Sequence, residues 1–386
     1  MNIFLTGTSG FLGGELLVSL SKRSDISKIF CLIRAKDKQN AIERLEKVFS
    51  LHGDNFDKEK IIPIVGDLID INLSSQLINN KELSSINLIV HSAANTSFAK
   101  MNDSLVQKVN VDGLRSILEW SKTLKNLETF TYIGTATICG CNVKNKIVFE
   151  DESPSLEAKH MVKYTYTKML GEMMLKEYLP AEKILVLRPS IIMGDSRPWV
   201  PRSPVILWTL ATVNLLRLLP YNPDSNVDII PVDYAVNAIE ALLFSKRHYS
   251  VYHISSGINS VSKSQLITNT LGLYFNNRPL FKYVDSEFLS QMKKYSKNIL
   301  PVTEDLFQYK DYLQYWEKVF GENTRMRIIF AALDPYIKFI ELSQTFDSSR
   351  LLEDTNLGSP PPAHEYIKKS IKYLEKIDVF EGALDP

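Results

Sequence analysis

Cysteine is scarce in this chain: Cys31, Cys139 and Cys141 are the whole supply. A small, odd number excludes a disulfide framework and fits a reducing compartment. Cys139 and Cys141 form an isolated C-x-C with no second Cys/His pair at zinc spacing, so no metal is expected there. An excess of charge of either sign is missing as well. The 45 basic residues stand against 44 acidic ones, a formal net charge of +1. No global field draws the chain to nucleic acid or anionic lipid, and any anion site has to be local. Nor is there a long apolar run. Val205–Leu219 is the most apolar internal stretch, and Asn214 and Arg217 interrupt it. It falls short of the roughly 20 apolar residues a transmembrane span needs. A strand-like run starts at Asn2 with no basic leader before it, so no signal peptide is expected and the reading is cytoplasmic. Peripheral membrane contact stays compatible with this composition. Internal repeats and low-complexity tracts are absent too.

With 386 residues, 45% of them hydrophobic, the chain has room for a complete ligand-binding domain and a second, smaller lobe. Through the first half, short β-branched runs alternate with helical patterns. The strands are expected at Ile3–Thr6, Ile29–Arg34, Ile61–Val65, Leu88–His91, Thr129–Ile133 and Ile184–Leu187. Leu12, Leu16, Leu17 and Leu20, and then Ile42, Leu45, Val48 and Phe49, recur at helical period between them. That alternation predicts an α/β fold, a doubly wound parallel sheet with crossover helices. A further helix-and-strand unit is expected at Asp228–Ile239 and Val251–Ser255. Past about residue 285 the pattern turns helical, with helices at Glu304–Val319, Thr324–Leu342 and Ala363–Leu374. The expected division is a Rossmann domain over 1–195, completed by about 228–257. The mostly helical substrate lobe takes 196–227 and 258–386.

Gly7-Thr8-Ser9-Gly10-Phe11-Leu12-Gly13 follows the first strand and opens the first helix. Glycines at this spacing allow a tight turn and close backbone approach to a pyrophosphate, whose charge the helix N-terminus then meets. Where an NAD site usually carries an acidic residue after the second strand, this chain has Leu32-Ile33-Arg34. Arginine there suits a 2′-phosphate, so NADPH is the expected cofactor. Lys36 and Arg44 are either helpers or plain surface charge. Asp67, before Leu68, ends the third strand at the edge where ligands bind, and either holds the adenine edge or caps a turn. His91-Ser92-Ala93-Ala94-Asn95 ends the fourth strand. Small residues such as Ala93 and Ala94 let the backbone approach a cofactor, and His91 reads as structural.

Tyr164-Thr165-Tyr166-Thr167-Lys168 lies in a stretch, Lys159–Tyr178, that reads as helix. Tyr164 and Lys168, four apart, share a face, and Tyr166 does not. A neighbouring ammonium stabilises phenolate, which makes Tyr164 a usable proton donor to a carbonyl oxygen. Thr135 follows the fifth strand at the same sheet edge, where its hydroxyl can bond that oxygen. Asn110, on the preceding helix, either holds a relay water or is simply solvated.

Taken together these residues resemble the extended short-chain dehydrogenase/reductase superfamily. Within it they are most similar to the fatty acyl-CoA reductase and thioester reductase ("male sterility") group. The matching pieces are Thr6-Gly7 through Gly13, Leu32-Ile33-Arg34, Gly66-Asp67-Leu68, His91-Ser92-Ala93-Ala94 and Asn110-Val111-Asp112-Gly113. They continue with Tyr164 through Lys168, Gly171-Glu172, Arg188-Pro189-Ser190 and Pro231-Val232-Asp233. Phe98 and the helix around Ala41–Leu45 also fit this group better than sugar epimerases. The resemblance covers residues 1–257. It implies Thr135, Tyr164 and Lys168 as the catalytic set and Arg34 as the NADP phosphate ligand, with Lys168 also on the nicotinamide ribose. It places Asn110, Pro189 and Ser190 beside the cofactor and makes an acyl-CoA or acyl-carrier-protein thioester the substrate. Two pieces depart from the group. Arg197-Pro198-Trp199-Val200-Pro201 stands where a Pro-Gly-Trp segment is usual, and Gly134 stands where serine is commoner. Other readings of the same machinery are a ketone or hydroxysteroid-type reductase, a nucleotide-sugar epimerase or dehydratase, and a non-catalytic NADP sensor. Trp199, Val205, Ile206, Leu207, Trp208, Leu210 and Val213 form either the wall of an acyl tunnel or an ordinary core helix.

Overall fold

Continuous runs of branched and aromatic side chains, buried on both faces, are what a parallel sheet covered by helices requires. The computed structural model describes residues 1–197, 207–297, 307–321 and 323–384. Among them, seven strands form one parallel sheet. They are β1 (Asn2–Thr6), β2 (Lys28–Ile33), β3 (Ile61–Val65), β4 (Leu88–His91), β5 (Thr129–Ile133), β6 (Ile184–Pro189) and β7 (Val251–Ile254). Their spatial order is β7-β6-β5-β4-β1-β2-β3. The order reverses at β1, which pairs with β2 on one side and β4 on the other. Ligands of open α/β sheets bind at the carboxyl ends of strands at such a point.

Alternate residues of each strand feed opposite faces. Ile3 and Leu5 of β1 pack with helices α1 (Phe11–Ser21), α2 (Lys38–His52) and α6 (Val232–Phe244) through Leu16, Leu45 and Ile239. Phe4 turns the other way, to α3 (Gly113–Ser121) and α4 (Lys163–Tyr178), among Leu114, Leu118 and Leu175. This is the doubly wound Rossmann arrangement expected from the alternation.

A further hydrophobic core lies among helices α5 (Leu207–Leu216), α7 (Ser264–Tyr274), α8 (Lys310–Phe320) and α9 (Asn323–Leu342). Trp316 anchors it: its ring meets Phe330 at 5.3 Å and its indole N–H donates to the Leu216 carbonyl at 2.7 Å. Beyond the sheet's carboxyl edge, Ile191–Ile192 pairs in parallel with Ile229–Ile230, and Ile147–Val148 with Thr345–Phe346. The second pair returns the C-terminal part of the chain to the sheet domain.

Boundaries shift in a few places. The helix expected from Lys159 starts at Lys163, because Val162 is extended. The helix expected over Ala363–Leu374 is a short α-turn followed by two 3₁₀ turns. Three residues per turn put Ile371 and Leu374 on one side, into the helical core. Within the helix expected over Glu304–Val319, Gln308 and Tyr309 form a turn and α8 starts at Lys310. Trp199, Val205 and Ile206 of the proposed tunnel wall lie outside the described residues.

Candidate active site

One cavity of about 1020 Å³ opens at the carboxyl edge of the sheet, beside β1, β2, β4, β5 and β6. All seven residues of the Gly7–Gly13 loop line it, with Arg34, Asp67, Leu68, Ala93, Ala94, Thr135, Tyr164, Lys168, Pro189 and Ser190. Asn110 does not.

The loop is built for close approach. Gly7 has φ +79°, and a Cβ there would lie 2.8 Å from the Ala93 nitrogen. A Cβ on Gly13 would lie 2.1 Å from the Gly7 carbonyl oxygen. No side chain is tolerated at either place, and β4's end is drawn against the loop. Ala93 N–H donates to Thr6 Oγ1 at 3.0 Å, which fixes that approach. Helix α1 begins after Gly10 with no side-chain cap and no acid in its first turn, so its first N–H groups face the cavity with their dipole uncompensated. The Thr8 hydroxyl is buried and has no hydrogen-bond partner among the described residues.

At the cavity mouth Arg34 is exposed, at the end of β2. Arg44 reaches over from α2, donating to the Arg34 carbonyl and to Ser9 Oγ at 3.4 Å. Arg44 thus belongs to the cavity, while Lys36 is not part of its lining. Asp67 caps a turn at the cavity's edge. One carboxylate oxygen accepts the Ile69 N–H at 3.2 Å, a turn cap, and the residue still lines the cavity.

Asn110 is buried rather than solvated. It lies in a π-helical segment before α3, and both of its amide hydrogens are used. Its oxygen accepts Asn95 N–H at 2.7 Å, and its nitrogen donates to the Asn95 carbonyl and to Thr167 Oγ1, both at 3.0 Å. It ties the loop after β4 to α4.

Helix α4 carries Tyr164 and Lys168 into the cavity and leaves Tyr166 outside, beside His160 and Lys163. The Lys168 ammonium donates to the Ile133 carbonyl at 2.6 Å and lies 4.8 Å from the Tyr132 ring centroid. Burial pulls Lys168 down to about 7 and pushes the Tyr164 phenol up to about 12. The sequence led us to expect a tyrosine lowered by its lysine; here desolvation favours the neutral form of each. His91, stacked on Tyr132 and bonded to Thr6, is pulled down to about 3 by burial, then by Lys168. It is a neutral structural histidine. Behind α4, Arg188 of β6 grips Glu172 with two N–H groups, Nε at 3.0 Å, and both side chains are 2% exposed. That pair fixes the helix one turn past Lys168.

Several cavity residues were given no place in the site by the sequence, Phe98 among them although it fitted the resemblance. Thr137 stands two residues after Thr135, with the two hydroxyl oxygens 3.0 Å apart. Phe98 lies 6.1 Å from Tyr164, ring to ring, and stacks on Tyr336 of α9 at 4.8 Å. Leu333, Tyr336, Ile337 and Ile340 bring one stripe of α9 to the cavity. Their helical spacing was visible, but its destination depends on a long-range return of the chain. Asp228 also lines the cavity; it accepts the Ser256 and Phe346 N–H groups at 2.8 and 3.1 Å, and burial raises its carboxyl. From α5, Leu207, Leu210 and Val213 face the cavity. Trp208 does not: it packs edge-on to Tyr336, and Gly382 is so close that a Cβ there would lie 2.6 Å from the Trp208 Cβ.

Residues 5–239 match the model of the male sterility protein family. Fatty acyl-CoA reductase 1 of Rattus norvegicus is 27% identical over 362 residues, 82% of this chain and 67% of that protein. The curated relatives are spanned over 50% to 78% of their lengths. Among solved structures, a thiolation-reductase di-domain from an archaeal non-ribosomal peptide synthetase aligns with TM-score 0.69 and 25% identity. That match covers 98% of this chain and 76% of that one. The terminal R domain of the myxalamid PKS-NRPS biosynthetic pathway aligns with TM-score 0.71 and 21% identity, over 97% and 90%.

Proposed function

The chain belongs to the male sterility protein family, and on that premise we propose that it reduces an acyl thioester with hydride from NADPH. The substrate is a fatty acyl-CoA or an acyl-carrier-protein thioester. The product is the aldehyde, and the alcohol where the aldehyde is reduced again before it leaves. One observation carries the reading: a single cavity joins the glycine loop, the Thr135–Tyr164–Lys168 set and an apolar wall from α5 and α9. The rat relative is named a fatty acyl-CoA reductase, and the archaeal neighbour couples a reductase to a thiolation domain. On this reading 1–195 with 228–257 hold the cofactor, and the described parts of 196–227 and 258–386 hold the substrate. No helix among the described residues is long and apolar enough to cross a membrane.

The residues fit a dinucleotide. Gly7 and Gly13 clear the backbone for a pyrophosphate, and the uncapped N-terminus of α1 offers it N–H donors. Arg34 and Arg44 make a two-cation pocket for a 2′-phosphate. When bound, NADPH supplies the hydride to the thioester carbonyl carbon. Tyr164, whose phenol holds its proton firmly, delivers that proton as charge develops on the carbonyl oxygen. Thr135 donates a hydrogen bond to the same oxygen. Lys168 would bond the nicotinamide ribose, and its protonated form, present below about pH 7, would place positive charge on the same face as the phenol. The tetrahedral hemithioacetal then loses its thiol, and the carbonyl re-forms as aldehyde. Turnover with a purified acyl-CoA tests this: free thiol should appear with one NADPH consumed per thiol for the aldehyde, or two for the alcohol. NADPH oxidation without thiol release would contradict it.

A further inference from the structure

The reduction proposed above needs a hydroxyl hydrogen that points at the carbonyl oxygen, and a threonine hydroxyl rotates freely unless something sets it. Thr135 is set from one side only by its own turn. Its Oγ1 caps the short 3₁₀ turn Ala136–Cys139, accepting the Thr137 N–H at 3.4 Å, a long contact that leaves the hydroxyl loosely held. The second partner is the Thr137 hydroxyl, 3.0 Å away. Thr137 sits at a kink inside that turn, with φ −83° and ψ 27°, and its side chain lines the same cavity. Thr135 Oγ1 is the hydrogen-bond partner that Thr137 Oγ1 has among the described residues.

Two hydroxyls this close share one hydrogen between them. If Thr135 gives its hydrogen to Thr137, none is left for the substrate. If Thr137 gives its hydrogen, Thr135 receives both an N–H and an O–H, and its own hydrogen is left facing the cavity. Accepting a hydrogen bond also polarises an O–H and strengthens it as a donor. A developing oxyanion selects the second arrangement, since it alone presents a donor from Thr135.

We infer that Thr137 is a positioning residue that turns the Thr135 hydroxyl onto the substrate's carbonyl oxygen. This rests on the carbonyl-reducing function proposed above.

The test is a double-mutant cycle on the full chain, with thioester and aldehyde as alternative substrates. Valine keeps the shape of threonine without its hydroxyl. Thr135→Val should lose on the order of 100-fold in kcat, the scale of one oxyanion donor. Thr137→Val should lose about tenfold in kcat, the scale of one orienting hydrogen bond, with KM and the NADPH dissociation constant unchanged. Thr137→Ser should restore wild-type kcat. In the Thr135→Val background Thr137→Val should cost nothing more, because nothing is left to orient. Thr137→Ala repeats the cycle if the valine packs poorly. Wild-type kcat in Thr137→Val, a loss as large as that of Thr135→Val, or equal losses in both backgrounds would each overturn the inference. A wild type inert with thioesters and aldehydes alike would overturn the proposed function, and this inference with it.

Discussion

Lys168 is bonded through its ammonium to the Ile133 carbonyl at 2.6 Å. The lysine of the proposed catalytic pair is therefore held by the strand that delivers Thr135, and not by helix α4 alone. That bond ties strand end and helix together, and the other N–H groups of Lys168 stay available to a cofactor ribose.

Burial gives that lysine a pH signature. Its folded value lies near 7, well below the ordinary value of 10.5. Above about 7 the folded protein holds Lys168 neutral while the unfolded chain is still protonated, so unfolding takes up a proton and stability gains with pH. The melting temperature of wild type minus that of Lys168→Met, without nucleotide, should rise between about pH 7 and 10. A difference that is flat, or that falls, would show that Lys168 is not desolvated.

Two tyrosines two residues apart should behave oppositely. Tyr164 lines the cavity, whereas Tyr166 packs on His160 and Lys163. Tyr164→Phe should lose roughly 10²–10⁴-fold in kcat, the range of general acid catalysis, with NADPH binding retained. Tyr166→Phe should keep most activity. Steady-state kinetics of the two variants checks this, and a dead Tyr166→Phe would reverse the assignment.

Cofactor choice should depend on two arginines. Arg34→Ala and Arg44→Ala should each erode the preference for NADPH over NADH, chiefly through the KM for NADPH. Single losses near tenfold would match one charge-assisted bond to phosphate. A wild type that favours NADH would remove the basis of the assignment.

Acyl chain length should be read by α5. Each buried methylene is worth about 0.8 kcal/mol, roughly fourfold in kcat/KM, until the cavity is full. Medium- and long-chain acyl-CoAs should therefore outperform acetyl-CoA. Leu210→Asp should flatten that rise without weakening NADPH binding. Trp208, turned into the helical core, should act through stability instead, which thermal unfolding of Trp208→Ala would report.

Local pattern made the sheet domain legible. β3, β4 and β5 fall where alternation and turn residues put them, because a parallel strand buried on both faces must read as one apolar run. The glycine loop and the Tyr164/Lys168 face were equally legible, since both depend on short spacing. The burial of Asn110 was hidden because its partners, Asn95 and Thr167, come from opposite sides along the chain. The α9 wall was missed for a similar reason: nothing near Tyr336 in sequence says that it will stack on Phe98. The phenol's raised value was hidden too, as it arises from burial, which no i,i+4 spacing encodes.

The central claim is that this cavity serves a thioester. It is tested most directly by NADPH oxidation measured side by side on acyl-CoAs of increasing length, free aldehydes, ketones and UDP-sugars. The account predicts turnover of acyl-CoA with release of free thiol, rising with chain length, and none with UDP-sugars. Turnover of a ketone or a UDP-sugar with no thioester consumed would contradict it.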